Sequence, residues 1–184
     1  IRDEIDVLDD LIGRLLELTK AETLYQHERP LEVDFSSLVR EATKRHLPQL
    51  QEKGVSFEQD LPSTLPYSCR PLEMRDTISG LMDNAVKYVE PGGRVALAMR
   101  TTDTVLELDL VNSFRTLTDK ELKDIFDPFK RLASEDIPGN GLGLALARNA
   151  ILRHRGVISA RNSDQGFMIR ILLPLSDELP QMDA

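Results

Sequence analysis

Gly80, Asn84, Lys87 and Tyr88 fall at i, i+4, i+7 and i+8, so a helix through them sets a neutral oxygen ligand, a cation and an aromatic ring on one face. Those three groups suit a magnesium nucleotide: a hard oxygen for the metal, an ammonium for a phosphate, a ring beside the base or sugar. Taken alone, the same face also fits an ordinary solvated helix surface. A second feature is Gly139-Asn140-Gly141-Leu142-Gly143-Leu144, which runs directly into an apolar helical stretch. Glycines let backbone approach phosphate oxygens, and the open amides of a helix start attract negative charge. The stretch has neither the Lys-Ser/Thr of a P-loop nor a preceding strand at dinucleotide spacing, so both of those readings are disfavoured. Between the two features lies Phe126-Asp127-Pro128-Phe129-Lys130-Arg131. There Phe126 reads as core, and Arg131 is placed to swing towards a phosphate at the root of a loop.

These groups need elements to hold them. Apolar residues at 74, 78, 81, 82 and 85 predict a helix over residues 72–89 with the chemical face turned away from its buried stripe. Residues 95–111 alternate as two antiparallel strands joined near 101–103, after the turn Pro91-Gly92-Gly93. A short helix is expected over 122–129, a loop over 130–140, a helix over 144–153, and a last hairpin of 157–160 with 167–173 around Asp164-Gln165-Gly166. Upstream, Ser36 or Ser37 is expected to cap a helix carrying Leu38, Val39, Ala42 and Leu50, which Pro48 must bend or shorten. Residues 55–57 and 65–70 read as strands, and the polar stretch 23–32, with Pro30, as a linker. Ile5, Leu8, Ile12 and Leu15, widened by Leu11 and Leu18, form a coiled-coil seam. That seam suits a helical bundle formed by dimerisation; one amphipathic helix packed on its own domain is the alternative. Hairpins with helices collected between them argue for a two-layer α/β sandwich, a mixed sheet covered on one face.

The 184 residues are 41% hydrophobic and carry a formal net charge of −8, enough for one substantial core and without the Lys/Arg cluster that nucleic acid demands. The single Cys69 excludes an internal disulfide and a cysteine zinc site. No apolar run reaches the roughly 20 residues of a membrane-spanning helix, so no direct membrane insertion of this stretch is expected. The helical pattern is already under way at Ile1, which leads us to expect that further sequence, any membrane anchor included, lies upstream.

Read in order, Leu81-Met82-Asp83-Asn84-Ala85-Val86-Lys87-Tyr88, the Phe126 to Arg131 segment and Gly141-Leu142-Gly143-Leu144 resemble the N box, F box and second glycine box of bacterial sensor histidine kinases. Leu11-Ile12-Gly13-Arg14-Leu15-Leu16-Glu17-Leu18 is similar to the second helix of their dimerisation and phosphotransfer hairpin. The resemblance implies the Bergerat ATP-binding sandwich, with residues 1–25 as hairpin helix, 26–34 as linker, 35–176 as ATP-binding domain and 177–184 as tail. By the same resemblance Asn84 would ligate Mg²⁺, Lys87 and Arg131 would meet phosphates, and Tyr88 would flank the nucleotide. Gly139, Gly141 and Gly143 would cradle ATP or ADP, with Leu142 and Leu144 shaping the loop. The implied activity is transfer of the γ-phosphoryl group to a histidine, for relay to a response regulator receiver domain. The implied setting is a cytoplasmic homodimer joined through the N-terminal helices.

The chain departs from the family pattern at several points. Gly80 stands where these kinases usually have Asn. Asn112-Ser113-Phe114-Arg115-Thr116 occupies the first glycine box, so the adenine-reading carboxylate is an amide, Asn112, and both glycines are replaced; Gly166-Phe167 stands for the frequent Gly-Thr. These departures support an alternative, a non-catalytic kinase-like module that dimerises and regulates a partner. A clamp ATPase of the same fold is disfavoured because position 80 has no acid to activate water. His27-Glu28-Arg29-Pro30 echoes the phosphoacceptor motif but is too short and follows the seam, so the acceptor is expected upstream of Ile1. His46 shows no partner in the sequence, and His154 is expected to meet carbonyls at its helix end.

Overall fold

The computed structural model describes residues 23–130 and 141–175; the N-terminal seam, Arg131, Gly139 and the tail after 175 lie outside them. The described elements are β1 (Leu31–Asp34), α1 (Phe35–Lys44), α2 (Leu47–Glu52), β2 (Ser56–Asp60), β3 (Pro66–Cys69), α3 (Pro71–Tyr88), β4 (Arg94–Thr101), β5 (Val105–Asn112), α4 (Asp119–Asp124), α5 (Gly143–Arg153), β6 (Val157–Ser163) and β7 (Gly166–Pro174). Five strands form one sheet in the order β2-β4-β5-β7-β6, and β1 pairs with β3 beside it. The β2–β4 pair is parallel and the other pairs are antiparallel, so the sheet is mixed. Val95, Leu97 and Met99 of β4, Leu106, Leu108 and Leu110 of β5, and Phe167, Ile169, Ile171 and Leu173 of β7 are buried at every second position, as a sheet covered on one face requires. The expected two-layer α/β sandwich is therefore the observed fold.

The central helix α3 answers to its pattern: Met74, Ile78, Leu81, Met82 and Ala85 are all at most 3% exposed. At roughly 1.5–3 kcal/mol for each large apolar side chain removed from water, this stripe is the main gross term that seats α3 on the sheet. α3 packs against α1 on one side and α5 on the other. Pro71 starts it at a position where its missing N–H costs nothing. The first amides are capped from outside the helix, since the Glu28 carboxylate accepts from Leu72 N at 2.6 Å and Glu73 N at 3.0 Å.

Several elements differ from the sequence expectation for identifiable reasons. α1 is capped by Asp34, not by Ser36 or Ser37: Asp34 Oδ1 accepts from Ser36 N at 3.1 Å and from Leu65 N at 2.9 Å. The Ser37 hydroxyl donates to Asp34 Oδ2, and with the Leu65 amide this holds the carboxyl down at about 2. Residues 31–34, counted with the linker in the sequence, form β1 through pairing with β3. α4 begins at Asp119, ahead of the expected 122, because Thr118 and Glu121 close a capping box. His46 does have partners: its Nε2 lies 3.0 Å from Ser79 Oγ and its Nδ1 3.2 Å from Asp83 Oδ1. Burial lowers its pKa below the ordinary histidine value. His154 meets a helix-end carbonyl as expected, Ala150 O at 2.8 Å, which leaves Nε2 to accept from Arg70 N at 3.1 Å.

Opposite the C-terminal end of α3, charge is buried. Glu73 is 1% exposed, and Arg153 at the end of α5 donates both Nε and Nη2 to its Oε1. Oε2 has Arg70 Nη1 at 3.5 Å and His154 Nδ1 at 3.9 Å. α3 and α5 are thereby pinned together at the end remote from Asn84.

Candidate functional site

At the other end of this helix pair, Asn84, Tyr88, Asn112 and Leu144 line one cavity together with Leu81, Phe114 and Phe167. Four of the residues singled out from the sequence thus arrive from three elements, α3, β5 and α5. Asn84 and Tyr88 do so because they stand on the flank of α3 that turns towards α5, beside the buried stripe. Asn112 closes β5, where it pairs with Val95 on one side and Phe167 on the other. It is 5% exposed, and its Nδ2 donates to Ser113 O at 3.4 Å. Among the described residues its Oδ1 accepts no hydrogen bond, so that oxygen is the acceptor this side chain can offer to a ligand.

Asn84 and Gly143 are matched to each other. A Cβ built at Gly143 would lie 3.3 Å from Asn84 Nδ2, so the glycine lets the start of α5 close on the amide. Asn84 Nδ2 is buried and has no hydrogen-bond partner among the described residues. A buried donor left unpaired costs about 1–3 kcal/mol, which a polar ligand can recover. Leu142 caps α5 without a side-chain cap bond, so the first-turn amides of this eleven-residue helix have no side-chain oxygen from that position. Gly141 has φ +70°, and a Cβ there would come within 2.8 Å of Lys130 O. Its carbonyl accepts from Phe129 N at 3.0 Å, which fastens the two roots of the intervening segment to each other.

Lys87 Nζ lies 5.1 Å from the centre of the Tyr88 ring and pairs with no carboxylate among the described residues, so its charge is available to an anion. Lys130 is committed to Asp124 at 3.5 Å. Phe126 packs against the core as expected, whereas Phe129 is 37% exposed with φ +68°. A Cβ at Gly80 would meet nothing within 4 Å, so that position on the face is open space. Two residues that matter here were not singled out by type and spacing. Phe114 lines the cavity from an irregular connection. Gly166 lets β7 approach so closely that a Cβ there would sit 2.3 Å from Asn112 O; the Asp164-Gln165-Gly166 turn and the family position of Gly166-Phe167 were its sequence signals.

Known proteins resemble this chain in sequence and fold. Residues 69–177 match the family described as histidine kinase-, DNA gyrase B-, and HSP90-like ATPase. The adaptive-response sensory kinase SasA of Synechococcus sp. (strain JA-3-3Ab) is 28% identical over 160 residues, covering 85% of this chain and 42% of that protein. Sensor protein VanSC of Enterococcus gallinarum is 25% identical over 170 residues, 91% of this chain and 47% of that protein. The chain therefore spans less than half the length of these relatives. Among solved structures, full-length ShkA in complex with AMPPNP superposes with a TM-score of 0.74 at 20% identity, covering 97% of this chain and 38% of that one.

Proposed function

The chain belongs to the histidine kinase-, DNA gyrase B-, and HSP90-like ATPase family, and from that premise we propose that it is the catalytic ATP-binding domain of a sensor histidine kinase. It would bind Mg·ATP and deliver the γ-phosphoryl group to a histidine, from which an aspartate of a response regulator receiver domain takes it. The observation that carries this reading is the convergence of Asn84, Tyr88, Asn112 and Leu144 on one cavity, with Gly143 and the start of α5 closed against Asn84.

In this reading Mg²⁺ needs only one or two protein oxygens, because the phosphates supply others, and Asn84 provides one. Lys87 and the first-turn amides of α5, that of Gly143 among them, hold phosphate oxygens together with Gly139, Gly141 and Arg131. Tyr88 and Asn112 hold the base, and Leu142 and Leu144 shape the loop. The chemistry this arrangement can perform is positioning and charge neutralisation, which is most of what phosphoryl transfer asks of a protein. Residues 1–25 act as the second hairpin helix of a homodimer, and the unit from β1 onward works on the cytoplasmic side, where ATP and the regulator are.

The test is phosphotransfer to a supplied hairpin bearing the acceptor histidine, with γ-labelled ATP. Label is expected on the hairpin and none on His27. Label on His27 would make His27-Glu28-Arg29-Pro30 the acceptor motif after all, and no transfer under conditions where ATP binds contradicts the kinase reading. The base contact has its own test. An ionised acceptor bonds more strongly than a neutral one by about 1 kcal/mol. Asn112→Asp also gives up the Nδ2 bond to Ser113 O and adds desolvation cost, so a gain of about two- to five-fold in ATP affinity is expected, with a higher ATP/GTP ratio. Paired titrations of ATP and GTP against both proteins read it, and unchanged affinities would place the base elsewhere.

A further inference from the structure

The cavity lined by Asn84 and Asn112 measures about 30 Å³, room for about two waters and far short of a purine ring. Aromatic side chains help to close it. The Phe114 and Tyr88 rings meet edge to face with centroids 5.8 Å apart. Arg115 lies 5.5 Å from the Phe114 ring and Lys87 5.1 Å from the Tyr88 ring, so the pair is bracketed by two cations. Arg115 is itself held by Glu121 at 2.5 Å. The backbone on either side of Phe114 is anchored. Ser113 is tied to β4 through Ser113 N to Arg94 O at 2.8 Å and Arg94 N to Ser113 Oγ at 2.9 Å. Leu117 is tied to β6 through Asn162, by two bonds of 2.9 and 2.8 Å. Residues 114–116 between these ties belong to no helix or strand, so the Phe114 ring can turn out without breaking a ladder bond.

We propose that Phe114 gates the base pocket. In the free protein its ring, paired with Tyr88, occupies the approach to Asn112, and a purine nucleotide binds only when the ring swings out. The inference rests on the nucleotide reading above and deepens it: Phe114 makes the base, and not the phosphates, bear the cost of opening. A ligand whose binding-competent state is a minor one has its affinity lowered by that state's population. An aromatic pair corresponds to about two- to ten-fold in that population.

The experiment is calorimetric titration of ATP and of inorganic tripolyphosphate, at one magnesium concentration, into the wild-type chain, Phe114→Ala and Phe114→Leu. Phe114→Ala is expected to tighten ATP about two- to ten-fold and to leave tripolyphosphate unchanged. Phe114→Leu keeps apolar bulk against the core and loses the ring pair, so it should shift ATP in the same direction by a smaller factor, and it serves if the alanine variant unfolds. Weaker ATP binding in both variants would mean that Phe114 holds the base and would overturn the gate. So would unchanged ATP binding, or an equal change for both ligands. If neither ligand binds the wild type, the nucleotide reading itself fails and the gate with it; if the wild type binds ATP and the variants match it, only the gate fails.

Discussion

Asn84→Ala is expected to weaken Mg·ATP binding by about 10- to 100-fold while leaving the fold as stable as before. The loss follows from removing a polar group that faces a charged ligand, worth about 1.5–3 kcal/mol. The unchanged stability follows from the structure of the free protein, where Asn84 Nδ2 is buried without a partner among the described residues. Truncation therefore sacrifices no hydrogen bond on that atom and places alanine, the strongest helix former, inside α3. The residual binding should depend less on magnesium, because the proposed metal oxygen has gone. Titration with and without chelator, alongside thermal unfolding, separates the two effects. A variant that binds as tightly as wild type would remove Asn84 from the site, and one that loses stability in parallel would make its role structural.

Arg153→Met is expected to cost about 2–4 kcal/mol of folding stability, although Arg153 lies at the end of α5 remote from Asn84. Glu73 is 1% exposed and receives two donors from Arg153. Methionine keeps much of the volume and leaves the carboxylate buried with only Arg70 and His154 nearby. Breaking one side of a buried ion pair typically costs about 3–5 kcal/mol; the remaining cation Arg70 moderates that figure. Glu73→Gln in the same chain removes the stranded charge, so the double variant should recover much of the loss. A denaturant series on the wild type, both single variants and the double variant measures the coupling. If the double variant is no more stable than Arg153→Met, the cost arises from lost packing and not from buried charge.

The sequence carried α3 well because five apolar residues at helical spacing outweigh everything else in that window, and β4, β5 and β7 for the same reason at period two. The glycine-led start of α5 was visible as composition, since Gly141 is needed for a left-handed φ and Gly143 for close approach to Asn84. Other features depend on partners far along the chain. Nothing local to Glu73 announces burial, because Arg153 lies 80 residues away. The α1 cap was ambiguous because Asp34, Ser36 and Ser37 are all competent caps, and only the distant Leu65 amide makes Asp34 the better one. The β1 strand has four residues and follows Pro30, so pairing with β3, which the sequence did show within residues 65–70, makes it a strand. Within the candidate site, helix spacing brought out Asn84, Lys87 and Tyr88. Phe114 sits on an irregular connection without period, and only the folded chain sets it against Tyr88.

The proposed kinase function requires nucleotide binding at the junction of α3, β5 and α5. Calorimetric titration of the chain with ATP, with magnesium and then with magnesium chelated, tests that most directly. Saturable binding that weakens on chelation, and that Asn84→Ala reduces, is the expected result. No heat of binding up to millimolar ATP, with the protein folded by thermal unfolding, would contradict it.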